Sequence, residues 1–203
     1  MLIKLDLSKA FDRLSWQYLC SVLESFGFNK LWVNWILKLT SSAFFSILVN
    51  DTPSQPFHST RGIKQGDPLS PFLFILMVEG LGRYLKAMVL DGSLKGIPLH
   101  NLHPAPSHSQ FFDDTPLMNT PTVREATKLN SILSDFMEAS GMLLNLEKSK
   151  LYFFNTLVSV QNHLSRLLGI CKSSLPSIYL GIPLIGDPTR SISWDSLLLS
   201  MAN

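Results

Sequence analysis

The run SPFLFILMV, residues 70 to 78, carries no charge, and wound as a helix it is apolar on almost every face. A helix of that kind has no side to give to water, so the fold must be built around it, with other elements covering it all round. Either Asp67-Pro68 or Ser70-Pro71 can open this helix. Ser70 as N-cap with Pro71 at the first helical position asks for no proline N–H, which makes QGDPLS an ordered loop before a long central helix. At this length FLFILMV is far too short to span a bilayer.

The elements that must cover the central helix alternate in type. In LIKLDL, Ile3, Leu5 and Leu7 share one face of a strand, while Lys4 and Asp6 share the other. Ser15 is a good N-cap, Leu14 and Leu19 form a hydrophobic staple, and Gly27 marks a stop, which predicts a helix over 16–26. Asn29 caps a second helix with Leu31, Trp32, Trp35, Ile36 and Leu39 at helical spacing; β-rich FFSILVN and a turn at DTPSQP follow. SHSQFF and TPLM read as the arms of a hairpin with Asp113-Asp114 at its tip. TVRE, residues 122–125, is a capping box opening a helix that Gly141 closes. KLYFF reads as a strand, 160–168 as a helix and IYLGIPL as an apolar strand-like turn.

Strands alternating with helices, interrupted by one tight hairpin, favour an α+β split βαβ sheet over a doubly wound parallel one. With 203 residues, 46% of them hydrophobic, the chain can furnish a proper core. A net charge of +2 announces no large basic surface for nucleic acid. Cys20 and Cys171 lack metal-ligand spacing and have apolar neighbours, as buried reduced thiols do, which favours an intracellular compartment. MLIKLDLSKAFD is no signal peptide. Its strand starts without a preceding linker or cap, and SWDSLLLSMAN ends as abruptly, so the chain reads as a fragment of something longer.

A split βαβ sheet sets its first strand beside its hairpin, which gathers Asp6, Asp113 and Asp114. Carboxylates that close repel one another unless a cation lies between them, and all-oxygen ligands suit a hard ion such as Mg²⁺. Two such ions about 4 Å apart would clamp the attacking and leaving oxygens of an in-line phosphoryl displacement. Each residue also has a plainer reading. An Asp-Asp pair suits a polar hairpin tip, Asp6 a solvated strand end, Asp12 a helix-start charge, Phe11 a core ring, and Lys148 and Lys150 a solvated edge. His58, His100, His103, His108 and His163 show no ligand spacing.

Taken in order, KLDLSKAFDRLSW, RGIKQGDPLSPFLFIL, QFFDDT, GMLLNLEKSKLYF and YLGIPL resemble the five palm motifs of reverse transcriptases, in wording nearest to the LINE-type, non-LTR retrotransposons of plants. The resemblance runs from residue 2 to about 195. It implies a palm over 1–185 with a split βαβ (ferredoxin-like) sheet and packed helices, the start of a truncated thumb or connection over 186–203, and no fingers. It implies RNA-directed DNA polymerisation, with an RNA template, a DNA primer and deoxynucleoside triphosphates as partners. Asp6, Asp113 and Asp114 would hold two Mg²⁺ ions, with Mn²⁺ an expected substitute, and the Leu7 carbonyl could add a ligand. Phe11 falls on the steric gate that excludes a 2′-hydroxyl. Gln65 and Gly66 match the loop along the incoming nucleotide, and Lys148 the lysine that assists departing pyrophosphate. Tyr179 to Leu184 resembles the primer-gripping turn.

This copy departs from the family pattern in several places. Phe112 stands where the family carries a modest side chain, Pro116 lies in the return strand of the hairpin, and Pro104 and Pro106 are expected to shorten its approach. These departures suggest a truncated, degenerate copy. The rival readings are an inactive palm that binds nucleic acid or protein, or a carboxylate-based metal nuclease, which has no need of QGDPLSP or Phe11. Nuclear location is expected by resemblance alone, without a basic import signal. Neither a membrane role nor an oligomeric state is indicated.

Overall fold

The computed structural model describes residues 1–97, 106–110, 114–175, 177–179 and 182–184. Along β1 (Leu2–Leu5), buried Ile3 and Leu5 alternate with half-buried Leu2 and Lys4, as in a strand with one face on the core. At Asp6 the pairing changes: its carbonyl accepts from the Asn145 amide at 2.8 Å, and β2 (Leu7–Ser8) joins another ladder. Lys9, with φ 49°, turns the chain into the single turn α1 (Ala10–Arg13). Ser15 then caps α2 (Trp16–Ser25) by accepting from the Tyr18 amide, and Asn29 caps α3 (Lys30–Ser41) through the Leu31 amide, both as the sequence predicts.

The short strands β3 (Phe44–Phe45), β4 (Leu48–Val49), β5 (Thr52–Pro53) and β6 (Phe57–His58) make one antiparallel arm, β4 pairing β5 and β3 pairing β6. Its turn is Asn50-Asp51, with φ 50° and 60°, at the very start of the expected DTPSQP stretch. A two-residue hairpin turn needs left-handed backbone, which Asn and Asp tolerate and the fixed ring of Pro53 does not. Next comes the central helix, α4 (Ser70–Leu90), whose cap is Leu69 and not Ser70. Leu69's carbonyl accepts from the Phe72 and Leu73 amides, and Asp67 Oδ1 takes the Leu69 N–H at 2.8 Å. Pro71 thus sits at the second helical position, where a missing N–H still costs nothing because no first-turn amide has a partner in the helix.

In the second half β7 (Thr115–Met118) precedes α5 (Val123–Ser140), β8 (Leu143–Leu144), β9 (Lys150–Tyr152), α6 (Val158–Leu168), β10 (Ser177–Tyr179) and β11 (Ile182–Leu184). Thr122 caps α5 and Gly141 closes it at φ 75°. The expected capping box is half made. Thr122 accepts from the Glu125 amide, but buried Glu125 turns its Oε2 to the Lys95 amide at 2.8 Å, which satisfies a carboxylate held away from water.

The sheet has the order β7-β1-β9 with antiparallel neighbours. Outside β7 lies the segment 107–110: His108 bridges Leu117, Ser109 N–H donates to the Pro116 carbonyl at 3.0 Å, and Met118 N–H donates to the Ser107 carbonyl at 2.7 Å. Pro116 and Met118 therefore bond outward and Thr115 and Leu117 inward, so the absent N–H of Pro116 costs a bond to the outer arm and none to β1. Ile3, Leu5, Leu117 and Leu151 on one face join α2, α4 and α5 in a single buried cluster. The other face is covered in part by the antiparallel pair β10 and β11, where the Tyr152 hydroxyl meets Ser177 Oγ at 2.8 Å.

Two burial expectations need correction. On α4, Leu73, Phe74, Met77 and Val78 are buried, but Phe72 is 66% exposed and Ile75 47%. The sheet, α2 and α5 cover the remaining sides, and among the described residues nothing lies over that flank. On α3, Leu31, Trp35 and Leu39 face outward while Val33, Ile36 and Thr40 face α2. Cys20 is half-buried and Cys171 exposed, both as free thiols, because Cys171 lies past the end of α6 and outside the core. Among the described residues no helix is long and apolar enough to cross a membrane.

Candidate functional site

The β1–β7 register ends at the pair Leu5–Thr115, and Asp6 and Asp114 are the residues next to that pair on either chain. Alternation places both on the face away from the helices, together with Lys4 and Pro116. Each is half-buried. Asp113, like Phe112, Pro104 and the 186–203 segment, lies outside the described residues. Asp6 is anchored through its backbone: its N–H donates to Ser149 Oγ at 3.1 Å and its carbonyl accepts from Asn145. Among the described residues its carboxylate makes no hydrogen bond or ion pair. Asp114, by contrast, holds the Lys4 ammonium at 3.3 Å.

Among the described residues no three His, Cys, Asp or Glu side chains stand close enough to hold a metal ion. What the described part contributes is two carboxylates on one face, a hard oxygen donor set, with an ammonium already resting on one of them. That chemistry fits a hard divalent cation. The sequence contains the signal for Lys4, two residues before Asp6 on the same strand face, yet its contact with Asp114 depends on a register that local pattern does not show.

Phe11 and the loop from Arg61 to Gly66 are tied together by backbone. Ile63 N–H donates to the Phe11 carbonyl at 2.8 Å, Gly62 N–H to the Leu14 carbonyl at 2.7 Å, and Trp16 Nε1–H to the Gly62 carbonyl at 2.7 Å. Gln65 and Gly66 are exposed, and Gln65 Nε2 donates to Asp12 Oδ1 at 3.4 Å. Phe11 stacks on Phe74 with centroids 4.9 Å apart and planes at 14°, leaving its ring half-exposed. Beside this loop is a cavity of about 170 Å³ lined by Asp12, Phe45, Arg61 and Lys64 among others.

Lys148 is exposed in a turn that Ser149 N–H closes on the Asn145 carbonyl. Since Ser149 also receives the Asp6 N–H, this turn lies directly against the Asp6 strand end. Lys150 bends away to the Glu147 carbonyl. On the other side Tyr179 brings its ring to the Lys4 ammonium, 5.6 Å from the centroid. Burial, and then the negative charge of Asp114, push the Tyr179 phenol above its ordinary range. Neither Ser149 nor Trp16 was signalled as part of this region by its residue type.

Residues 1–184 match the profile of the family described as reverse transcriptase (RNA-dependent DNA polymerase). The Pol polyprotein of the type-2 retrotransposable element R2DM of Drosophila melanogaster is 33% identical over 144 residues, 71% of this chain and 13% of that protein. An uncharacterised 149 kDa protein of transposon TX1 from Xenopus laevis is 35% identical over 197 residues, 97% of this chain and again 13% of that protein. The chain thus spans a small part of these relatives' length. Among solved structures, telomerase from Candida albicans, bound to a fragment of telomeric RNA, superposes with a TM-score of 0.57 at 14% identity, over 76% of this chain and 28% of that one. At that identity the likeness shows the fold alone.

Proposed function

The chain belongs to the reverse transcriptase family, and from that premise we propose that residues 1–185 are the palm of an RNA-directed DNA polymerase from a plant LINE-type, non-LTR retrotransposon, with 186–203 beginning a thumb. The observation that carries this reading is the contact of Lys4 with Asp114 at 3.3 Å across the β1–β7 pair, whose last rung, Leu5–Thr115, adjoins both Asp6 and Asp114. Strand order supports it. Segment 107–110, β7, β1 and β9 lie side by side in the arrangement of a split βαβ sheet, with the hairpin next to the first strand.

In this reading Asp6, Asp113 and Asp114 hold two Mg²⁺ ions, which when bound lower the cost of the charge that develops on the primer oxygen and the leaving pyrophosphate. Leu7, the residue after Asp6 and the first of β2, would add a backbone carbonyl oxygen as a further donor. Phe11, held against Phe74, would sit under the sugar and exclude a 2′-hydroxyl. Gln65 and Gly66, on a loop pinned to the Phe11 backbone, would line the incoming deoxynucleoside triphosphate between RNA template and DNA primer. Lys148, on the turn against the Asp6 strand end, would neutralise departing pyrophosphate; a mobile exposed ammonium suits that task.

Pro116 favours a second reading, a palm inherited but inactive, because it weakens the outer arm of the hairpin that carries Asp113. Primer extension on an RNA template, with Mg²⁺ or Mn²⁺, separates the two. The chain joined to fingers and thumb of a related element should extend the primer and lose extension with Asp113→Asn. Silence of that chimera, where the same chimera with the relative's own palm is active, would leave the inactive reading in place.

A further inference from the structure

On β1, Lys4 pairs with Pro116, and Asp114, two residues before Pro116 and just ahead of β7, lies diagonally across from it. A diagonal cross-strand pair is within reach of a long side chain, and the ammonium does reach Asp114 Oδ1 at 3.3 Å. Both side chains are 29% exposed, so the pair is screened less than a surface one. Tyr179 closes over the ammonium at 5.6 Å, and its hydroxyl is buried without a hydrogen-bond partner among the described residues. The cross-strand neighbour of Lys4 on β9 is Lys150, whose ammonium goes to the Glu147 carbonyl and leaves the aspartates to Lys4.

Resting on the reading of Asp6, Asp113 and Asp114 as a divalent-ion site, we propose that Lys4 is a tethered counter-cation: its ammonium holds Asp114 until a divalent ion displaces it, and thereby sets how tightly the site takes that ion. Without a cation the carboxylates repel one another, and a lysine on a flexible stem relieves that repulsion from within the chain. An entering ion meets a positive charge already in place. Charges of +1 and +2 about 6 Å apart repel, even at the dielectric constant of water, by enough to change an affinity roughly tenfold. Lys4 is a positioning residue here, because it acts on a carboxylate and touches neither primer nor nucleotide.

Mn²⁺ titration of the full chain, read by the electron paramagnetic resonance of the free ion at low ionic strength, tests this directly. Lys4→Gln should bind Mn²⁺ about five- to tenfold more tightly than wild type, while Lys4→Arg stays close to it. The gain should vanish when Asp114→Asn is added. A merely structural lysine would show the opposite sign, since its loss loosens the site. Wild-type binding with Lys4→Gln equal or weaker overturns the counter-cation and leaves the metal site standing. No Mn²⁺ binding by any of the proteins overturns both. If Lys4→Gln does not fold, Tyr179→Ala decides: removing the ring that holds the ammonium should tighten Mn²⁺ binding about twofold, and an unchanged affinity would refute the proposal.

Discussion

Gly62 and Gly66 have nearly the same backbone conformation, φ 87° and 84°, in the same loop, yet their surroundings differ completely. A Cβ on Gly66 meets nothing within 4 Å, whereas one on Gly62 would lie 2.8 Å from the Asp12 carbonyl oxygen and 3.0 Å from that of Phe11. Gly66→Ala therefore costs the left-handed strain alone, about 1 kcal/mol. Gly62→Ala costs that strain and also forces backbone apart from backbone, because no flexible side chain is there to yield. The loop must lift, losing Gly62 N–H to Leu14 and Ile63 N–H to Phe11, at about 1 kcal/mol each. The expected total is about 3 kcal/mol, which leaves a gap of about 2 kcal/mol between the two variants. At a urea m-value of about 2 kcal/mol/M that gap moves the unfolding midpoint by about 1 M. Equal midpoints for the two variants would refute the reasoning that the Arg61–Gly66 loop is clamped to α1 through Gly62.

Two further outcomes test the packing around the site. Glu125→Ala removes the buried carboxylate that accepts the Lys95 N–H and should cost about 1–2 kcal/mol, with hydrogen exchange at Lys95 accelerating to that of an open loop; retained protection there would show another acceptor. Burial pushes the Tyr18 phenol up to about 12. Its pKa is higher folded than unfolded, so its contribution is complete below about pH 10 and is lost as pH rises toward 12. Urea stability between about pH 9 and 11.5 should thus fall less steeply in Tyr18→Phe than in wild type, and parallel slopes would contradict this burial.

Local signals were legible wherever one residue decides the backbone. Ser15 and Asn29 cap their helices, Gly141 ends α5, and Ile3 and Leu5 choose the inner face. Where two residues competed for the same task, the pattern misled. Ser70 looked like a cap, but Asp67 takes the amide that counts, and Glu125 left its own helix end for the Lys95 amide. An apolar run does not say how many neighbours arrive, so Phe72 and Ile75 stay exposed on a helix that reads as buried all round. Of the candidate site, Asp6 and the hairpin aspartates are marked by the resemblance of the ordered motifs to reverse transcriptases. Lys4 was missed, since an ion pair across strands is written in the register and not in either strand alone.

In the proposed site, Asp6 and the hairpin aspartates, more than a hundred residues apart in the chain, share one divalent ion. Fe²⁺ bound in place of Mg²⁺, with ascorbate and peroxide, cuts backbone close to the ion, and the fragments locate it. Cleavage beside Asp113-Asp114 should give two pieces of comparable size, be suppressed by excess Mg²⁺, and disappear in Asp6→Asn. Cleavage there that survives Asp6→Asn, or none at that position while the chain is folded, would contradict the account.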